Sequence, residues 1–296
     1  MPRLSMLAIR GADALLPFAD FARRALNEIP IVLYRPALHV ATNDAYYEHE
    51  RTYSDDAYQR SGLFDFERAA IDRYVPAPPA RVLVHGAGSG REVLALGEGG
   101  YAVDAFEPVP AMVARANTLL ADTAVRVERA TLQEWGAGGG TDSYDAIVTG
   151  WGMWIHILHH DERIAALRAF RRACPAGTLL LSFLRMHPWT DATAPPPPPL
   201  PVHPEPNGRM ERLTRGIMRR RLLRLPPIER GTDWIEGSYI HRVSEAELRE
   251  EAALTGWRIA YYERDVDVYG HAALTPAAEH IAGDAVEGVR FRSGRD

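Results

Sequence analysis

The chain has 296 residues, enough for one large α/β domain with additions or for two small domains. Hydrophobic residues make up 46% and charged residues 25%, an ordinary soluble composition, and a formal charge of −5 with a pI near 6.1 gives no global basis for binding nucleic acid or an anionic membrane. Cys174 is the only cysteine, which excludes an internal disulfide and fits a reducing cytoplasm; no run of about 18 apolar residues predicts a spanning helix, and no signal-peptide succession opens the chain.

Phe18, Phe21, Ala22, Ala25, Leu26 and Ile29 recur at helical spacing, so 17–29 reads as an amphipathic helix with Pro17 at its start. An aromatic and acidic segment comes next at 46–53, then a helix from about 64 to 74. Pro76, Pro78 and Pro79 separate this region from the first strand, so residues 1–75 form a helical cap. The middle alternates regularly: strand 81–85, helix 90–98, strand 101–106, helix 110–121, strands 125–130 and 144–149, helix 162–173, strand 178–184. Asp161 is the expected N-cap of the helix at 162, and Pro175 and Gly177 end it. Strands separated by such helices imply right-handed crossovers and a parallel sheet.

The alternation stops after 184. Five consecutive prolines at 195–199 form a polyproline spacer, and an arginine-rich segment succeeds it at 209–224. Ser244 and Glu247 then form a capping box for a helix ending near Gly256. Two strands at 257–266 and 268–274 meet so tightly at Asp267 that they should pair antiparallel, and 276–296 reads as a polar tail or a short last helix. The division is therefore a cap at 1–75, a core at 76–185 and 237–275, a Pro/Arg-rich insertion serving as a substrate lid at 186–236, and the tail.

The stretch 81–94 carries the functional information. A Val/Leu-rich strand runs into Gly86, Gly88 and Gly90, and then into a helix; only glycine turns so sharply and lets a ligand lie against the backbone. The free N–H groups of the helix start face that ligand. Glu107 stands 21 residues after Gly86 at the end of the second strand, an interval suited to a ribose diol. A dinucleotide fingerprint would need glycine at position 91, where Arg91 stands.

With this order of elements, and with Val-His-Gly-Ala-Gly-Ser-Gly (84–90) and Glu107, the chain resembles the class I S-adenosylmethionine-dependent methyltransferases over roughly 76–185 and 237–275. Tyr144-Asp-Ala-Ile-Val, Cys174-Pro-Ala-Gly177 and His241-Arg-Val-Ser-Glu support it. The resemblance implies an α/β fold: a Rossmann-like, mostly parallel sheet with an antiparallel C-terminal hairpin. It implies S-adenosyl-L-methionine as cofactor, with Gly86, Ala87, Gly88 and Gly90 under the methionine half and Glu107 and Pro108 at the ribose. Thr131 and Leu132 would flank the adenine, with Trp135 nearby, and Gly150 and Trp151 would complete the site. The sequence departs from the family at Val84, where an acid is usual, and at His85 and Ser89 within the loop.

His156, after the fourth strand, is the candidate general base, with the ordinary imidazole pKa in its favour and helix packing as the competing role. Tyr46, Tyr47, Trp154 and His241 are the candidate substrate-binding residues, with Tyr53 beside them on the cap. His156, His159, His160 and Asp161 do not match a metal-ligand set, so no metal is expected. The expected partner is a small-molecule acceptor, such as a secondary metabolite, methylated on oxygen or nitrogen. A docking surface for RNA or protein built from Arg209–Arg224 is the alternative, and a cofactor-binding protein with another activity is a third. Neither nucleic acid nor membrane is the leading partner, and the oligomeric state is open, a homodimer included.

Overall fold

The structure is a computed structural model, which describes residues 22, 26, 28–137, 143–184, 219, 221–226, 228–235, 237–262 and 269–277. Strand β1 (Arg81–His85) shows how the sheet is built. Val82 and Val84 pack into one layer and Leu83 into the other, because successive strand side chains point to opposite faces. Both faces are covered, so a central strand must be apolar almost throughout.

Strands β2 (Ala102–Glu107), β3 (Val127–Arg129), β4 (Ala146–Thr149) and β5 (Thr178–Leu184) join β1 in parallel. A separate antiparallel hairpin, β6 (Thr232–Ile235) and β7 (Ser238–His241), turns at Gly237. Strands β8 (Trp257–Tyr262) and β9 (Tyr269–Pro276) pair antiparallel, as expected, and β9 also runs antiparallel to β5. The seven-stranded order is β3-β2-β1-β4-β5-β9-β8. Its direction reverses between β1 and β4, which opens a crevice beyond their carboxyl ends.

Helices Asp65–Tyr74, Arg91–Glu98 and Pro110–Leu119 cover the Val82/Val84 face through Ile71, Val93, Leu96 and Ala116. Helices His160–Ala173 and Glu245–Leu254 cover the Leu83 face through Leu167, Phe170, Leu248 and Ala252. The capping box is present: Ser244 Oγ accepts from the Glu247 N–H (3.1 Å), and Glu247 Oε2 accepts from the Ser244 N–H (3.4 Å). Asp161 is not an N-cap. The helix begins two residues earlier than expected, at His160, whose N–H donates to Glu229 Oε1 (2.6 Å), so a carboxylate distant in sequence satisfies the end.

The cap is built on helix Pro36–His49, which opens at a proline suited to that place. Its last-turn carbonyls at Tyr47 and Glu48 accept from the Arg115 guanidinium (2.8 and 2.7 Å), which fixes the helix end against helix Pro110–Leu119. Of the amphipathic helix expected at 17–29, Ala22, Leu26, Glu28 and Ile29 are described and helical, and the helix continues to residue 33. The polyproline run, most of the arginine segment, the turn at Asp267 and residues 278–296 lie outside the described residues. Among the described residues, no helix is long and apolar enough to cross a membrane.

Candidate cofactor and acceptor site

The glycine turn comes directly after β1. The N–H groups of Gly86 and Ala87 donate to the Phe106 carbonyl (3.0 and 3.2 Å), extending the β1–β2 ladder into the loop. Gly86, Gly88 and Gly90 have φ of +70°, +54° and +97°, which non-glycine residues rarely adopt. The three glycines serve different ends. A Cβ at Gly86 would collide with the Met153 side chain, and one at Gly90 would press on Ala116 at 3.3 Å. A Cβ at Gly88 would meet nothing within 4 Å and would project into open space. Gly88 therefore leaves the turn bare toward the open space beside it, and no internal neighbour demands it.

Glu107 ends β2 beside this turn and is 5% exposed. Its Oε2 accepts from the Gly88 N–H (3.0 Å) and its Oε1 from the Val109 N–H (2.9 Å). Burial pushes its pKa up to about 7, although both backbone donors pull it down. Each carboxylate oxygen keeps a lone pair for a further donor, which is what two vicinal hydroxyls require.

The turn and Glu107 floor a cleft of about 570 Å³ including its open mouth. Pro108, Ser89 and Met112 line one side. Trp151, Met153 and His156, from the loop after β4, line another, and Asn43, Tyr47, Tyr53, Tyr58 and Gln59 close it from the cap. The Tyr47 hydroxyl and His156 Nε2 are 2.8 Å apart. Burial lowers the His156 pKa to about 3 and neighbouring His39 pushes the same way; the Tyr239 backbone offsets part of this, although Nδ1 has no hydrogen bond of ordinary geometry. The ring is neutral at physiological pH, so the ordinary imidazole value does not apply to it. With the proton assigned to Nδ1, Nε2 is the acceptor for Tyr47.

The structure thus brings together Gly86, Ala87, Gly88, Glu107, Pro108, Trp151, Tyr47 and His156. Other expected site residues stand elsewhere. Trp154 is 0% exposed in the core on the Leu83 face, and that burial removes it from substrate contact. His241 is equally buried, with Nε2 held by Glu247 Oε1 (2.9 Å). Tyr46 packs edge-on against Tyr47 near Gly237 and does not line the cleft. Gly90 and Gly150 shape the turns without lining it: Gly150 donates its N–H to the His85 carbonyl (2.8 Å), and a Cβ there would strike the Gly86 carbonyl. Thr131 exchanges hydrogen bonds with Glu134 at the start of helix Leu132–Ala137, while Leu132 packs against the core. Trp135 stacks on Phe106 (5.3 Å, 12°), away from the lined cleft, and His85 is packed between Phe106 and Phe170.

Two charged lining residues, Arg91 and Glu92, were not foreseen. Arg91 is 3% exposed and bidentate to Glu67 (2.7 and 2.6 Å), with further bonds to the Gly62 carbonyl (2.8 Å) and Glu92 Oε1 (2.7 Å). Glu92 Oε1 also accepts from the Trp151 N–H (3.2 Å). This chain of bonds ties the cap, the glycine turn and the loop after β4 into one wall.

Among the described residues, one cluster has metal-like spacing: Glu229, His241 and Glu247. Both of its carboxylates already pair with an arginine. The Arg163 guanidinium bonds Glu229 (3.2 Å), Glu247 (2.7 Å) and Glu251 (2.8 Å) and is 0% exposed. Arg219, from the arginine-rich segment, is likewise turned inward, bonding the carbonyls of Ile31, Val32 and Tyr34 (3.2, 3.0 and 3.0 Å).

No protein-family model matches the chain, and no curated protein matches it. Solved structures do. A SAM-dependent methyltransferase of Methanosarcina mazei aligns at 15% identity with a TM-score of 0.51, covering 73% of this chain and 99% of that one. The CcbJ methyltransferase of Streptomyces caelestis aligns at 17% identity and TM-score 0.52, covering 79% and 98%. A protein of Pyrococcus horikoshii aligns at 16% identity and TM-score 0.52, covering 78% and 98%. At these identities the likeness is one of fold.

Proposed function

We propose that this chain, whose fold is that of the class I S-adenosylmethionine-dependent methyltransferases, transfers a methyl group from that cofactor to an oxygen or nitrogen of a small molecule such as a secondary metabolite. One observation carries the reading: Glu107, anchored by the Gly88 and Val109 N–H groups, lies beside a turn whose bare Gly88 opens on the cleft. Glu107 would hold the ribose hydroxyls, and the turn would take the methionine half against its backbone. Bound there, S-adenosylmethionine supplies a sulfonium methyl for in-line displacement.

The chain's own part is positioning, exclusion of water and removal of a proton. Tyr47, Tyr53 and Tyr58 narrow the mouth over the cleft, which favours a small acceptor over a macromolecule. An acceptor hydroxyl becomes strongly acidic as its oxygen gains the methyl group, so even a weakly basic imidazole can take its proton late in the transfer. His156 Nε2 would receive it through the Tyr47 hydroxyl. The inward position of Arg219 leaves the RNA- or protein-docking alternative with one arginine fewer. Calorimetric titration with S-adenosylmethionine and S-adenosylhomocysteine tests the reading: saturable heat is expected with both, and no heat with either would sink it.

A further inference from the structure

S-Adenosylmethionine brings an α-ammonium group into the cleft, and a buried cation needs a carboxylate partner. Among the described residues lining the cleft, the carboxylates are Glu107 and Glu92. Both oxygens of Glu107 are already oriented by backbone N–H groups beside the position suited to the ribose. Val84, where the resemblance leads one to expect an acid, is 0% exposed in the sheet core, so no charge approaches from β1.

Glu92 has what an ammonium partner needs. It sits two residues past the last glycine of the turn, in the first turn of helix Arg91–Glu98, and is 7% exposed. Its Oε1 is fixed by the Arg91 guanidinium and the Trp151 N–H (2.7 and 3.2 Å), whereas no hydrogen bond from a described residue reaches Oε2. Arg91 is also shared with Glu67, so one cation faces two carboxylates, and a second cation beside Glu92 would balance the group.

Resting on the cofactor reading above, the geometry points to Glu92 as the residue that binds the α-ammonium of the cofactor's methionine half, held in position by Arg91. The acid lies at the start of the helix instead of in β1.

The test compares two ligands on purified full-length protein: S-adenosylhomocysteine, which carries the amino-acid end, and 5′-methylthioadenosine, which lacks it. Glu92→Gln is expected to weaken S-adenosylhomocysteine about tenfold while changing methylthioadenosine by less than about twofold. Glu67→Gln, which removes a carboxylate that does not line the cleft and leaves the Arg91–Glu92 bond in place, should keep the wild-type ratio of the two affinities. Equal losses for both ligands in Glu92→Gln, or no loss for either, would overturn the inference while leaving the cofactor reading intact. If wild-type protein binds neither ligand, the cofactor reading itself fails and the inference with it. Should Glu92→Gln not fold, Glu92→Asp, which keeps the charge beside Arg91 on a shorter arm, carries the comparison, and a ratio unchanged from wild type overturns the assignment.

Discussion

The Tyr47 hydroxyl lies 2.8 Å from His156 Nε2, joining the cap helix Pro36–His49 to the loop after β4 inside the cleft. If this pair removes the acceptor proton, His156→Ala should lower kcat on a hydroxyl acceptor about 100-fold and leave S-adenosylhomocysteine affinity within about twofold. Tyr47→Phe should act in the same direction and more weakly, about tenfold. Steady-state kinetics beside calorimetry separates the two effects, and normal turnover in His156→Ala would remove the base.

The Glu107 pKa, pushed up to about 7 by burial, predicts a pH dependence of binding. Ribose hydroxyls bind the ionised carboxylate, so below that value a proton must leave on binding. Affinity for S-adenosylhomocysteine should therefore fall about tenfold per pH unit below 7 and level off above it. Glu107→Gln should flatten the profile. In the free protein the same group works the other way: between its ordinary value of 4.5 and about 7 it holds a proton that the unfolded chain has lost. Its contribution to stability is complete below 4.5 and is lost as pH rises through about 7.

Gly88 and Gly150 should respond differently to alanine. Gly88→Ala places a Cβ in open space at φ +54°, so the protein should fold with a loss of about 1–2 kcal/mol and bind cofactor poorly. Gly150→Ala drives a Cβ into the Gly86 carbonyl and should fail chiefly in stability. Thermal melts with and without S-adenosylhomocysteine distinguish them; a Gly88→Ala protein that is stabilised by ligand as well as wild type would place the ligand elsewhere.

Arg163→Ala should destabilise the fold by about 3–5 kcal/mol, because Glu229, Glu247 and Glu251 would then face one another with their shared cation removed. Urea denaturation measures the loss. Lower pH should reduce the deficit as the freed carboxylates protonate, and a deficit unchanged by pH would mean that lost packing, not charge, dominates.

The floor of the cleft was legible in the sequence because its constraints are local. A strand buried on both faces must be nearly continuous in apolar residues, and a turn with positive φ at 86, 88 and 90 needs glycine at each position. Glu92 and Arg91 were not legible, since an acid and a base at a helix start read as ordinary solvated ends. Only the approach of Glu67 and the Trp151 N–H reveals their burial. The same limit applies to Trp154 and Arg219, whose burial and partners come from long-range packing, and to the burial of His241, although its partner Glu247 stands only six residues on. The β6–β7 hairpin follows the arginine-rich segment, with Gly231 just before its first strand and Gly237 in its turn, and it crosses the 236/237 boundary drawn between insertion and core.

Calorimetric titration of wild-type protein and Glu107→Ala with S-adenosylhomocysteine, each first shown to be folded by its thermal melt, reads the central contact directly. The ribose assignment predicts saturable binding to wild type and an affinity at least about tenfold weaker in the variant. No heat with wild type, or undiminished affinity in Glu107→Ala, would contradict it.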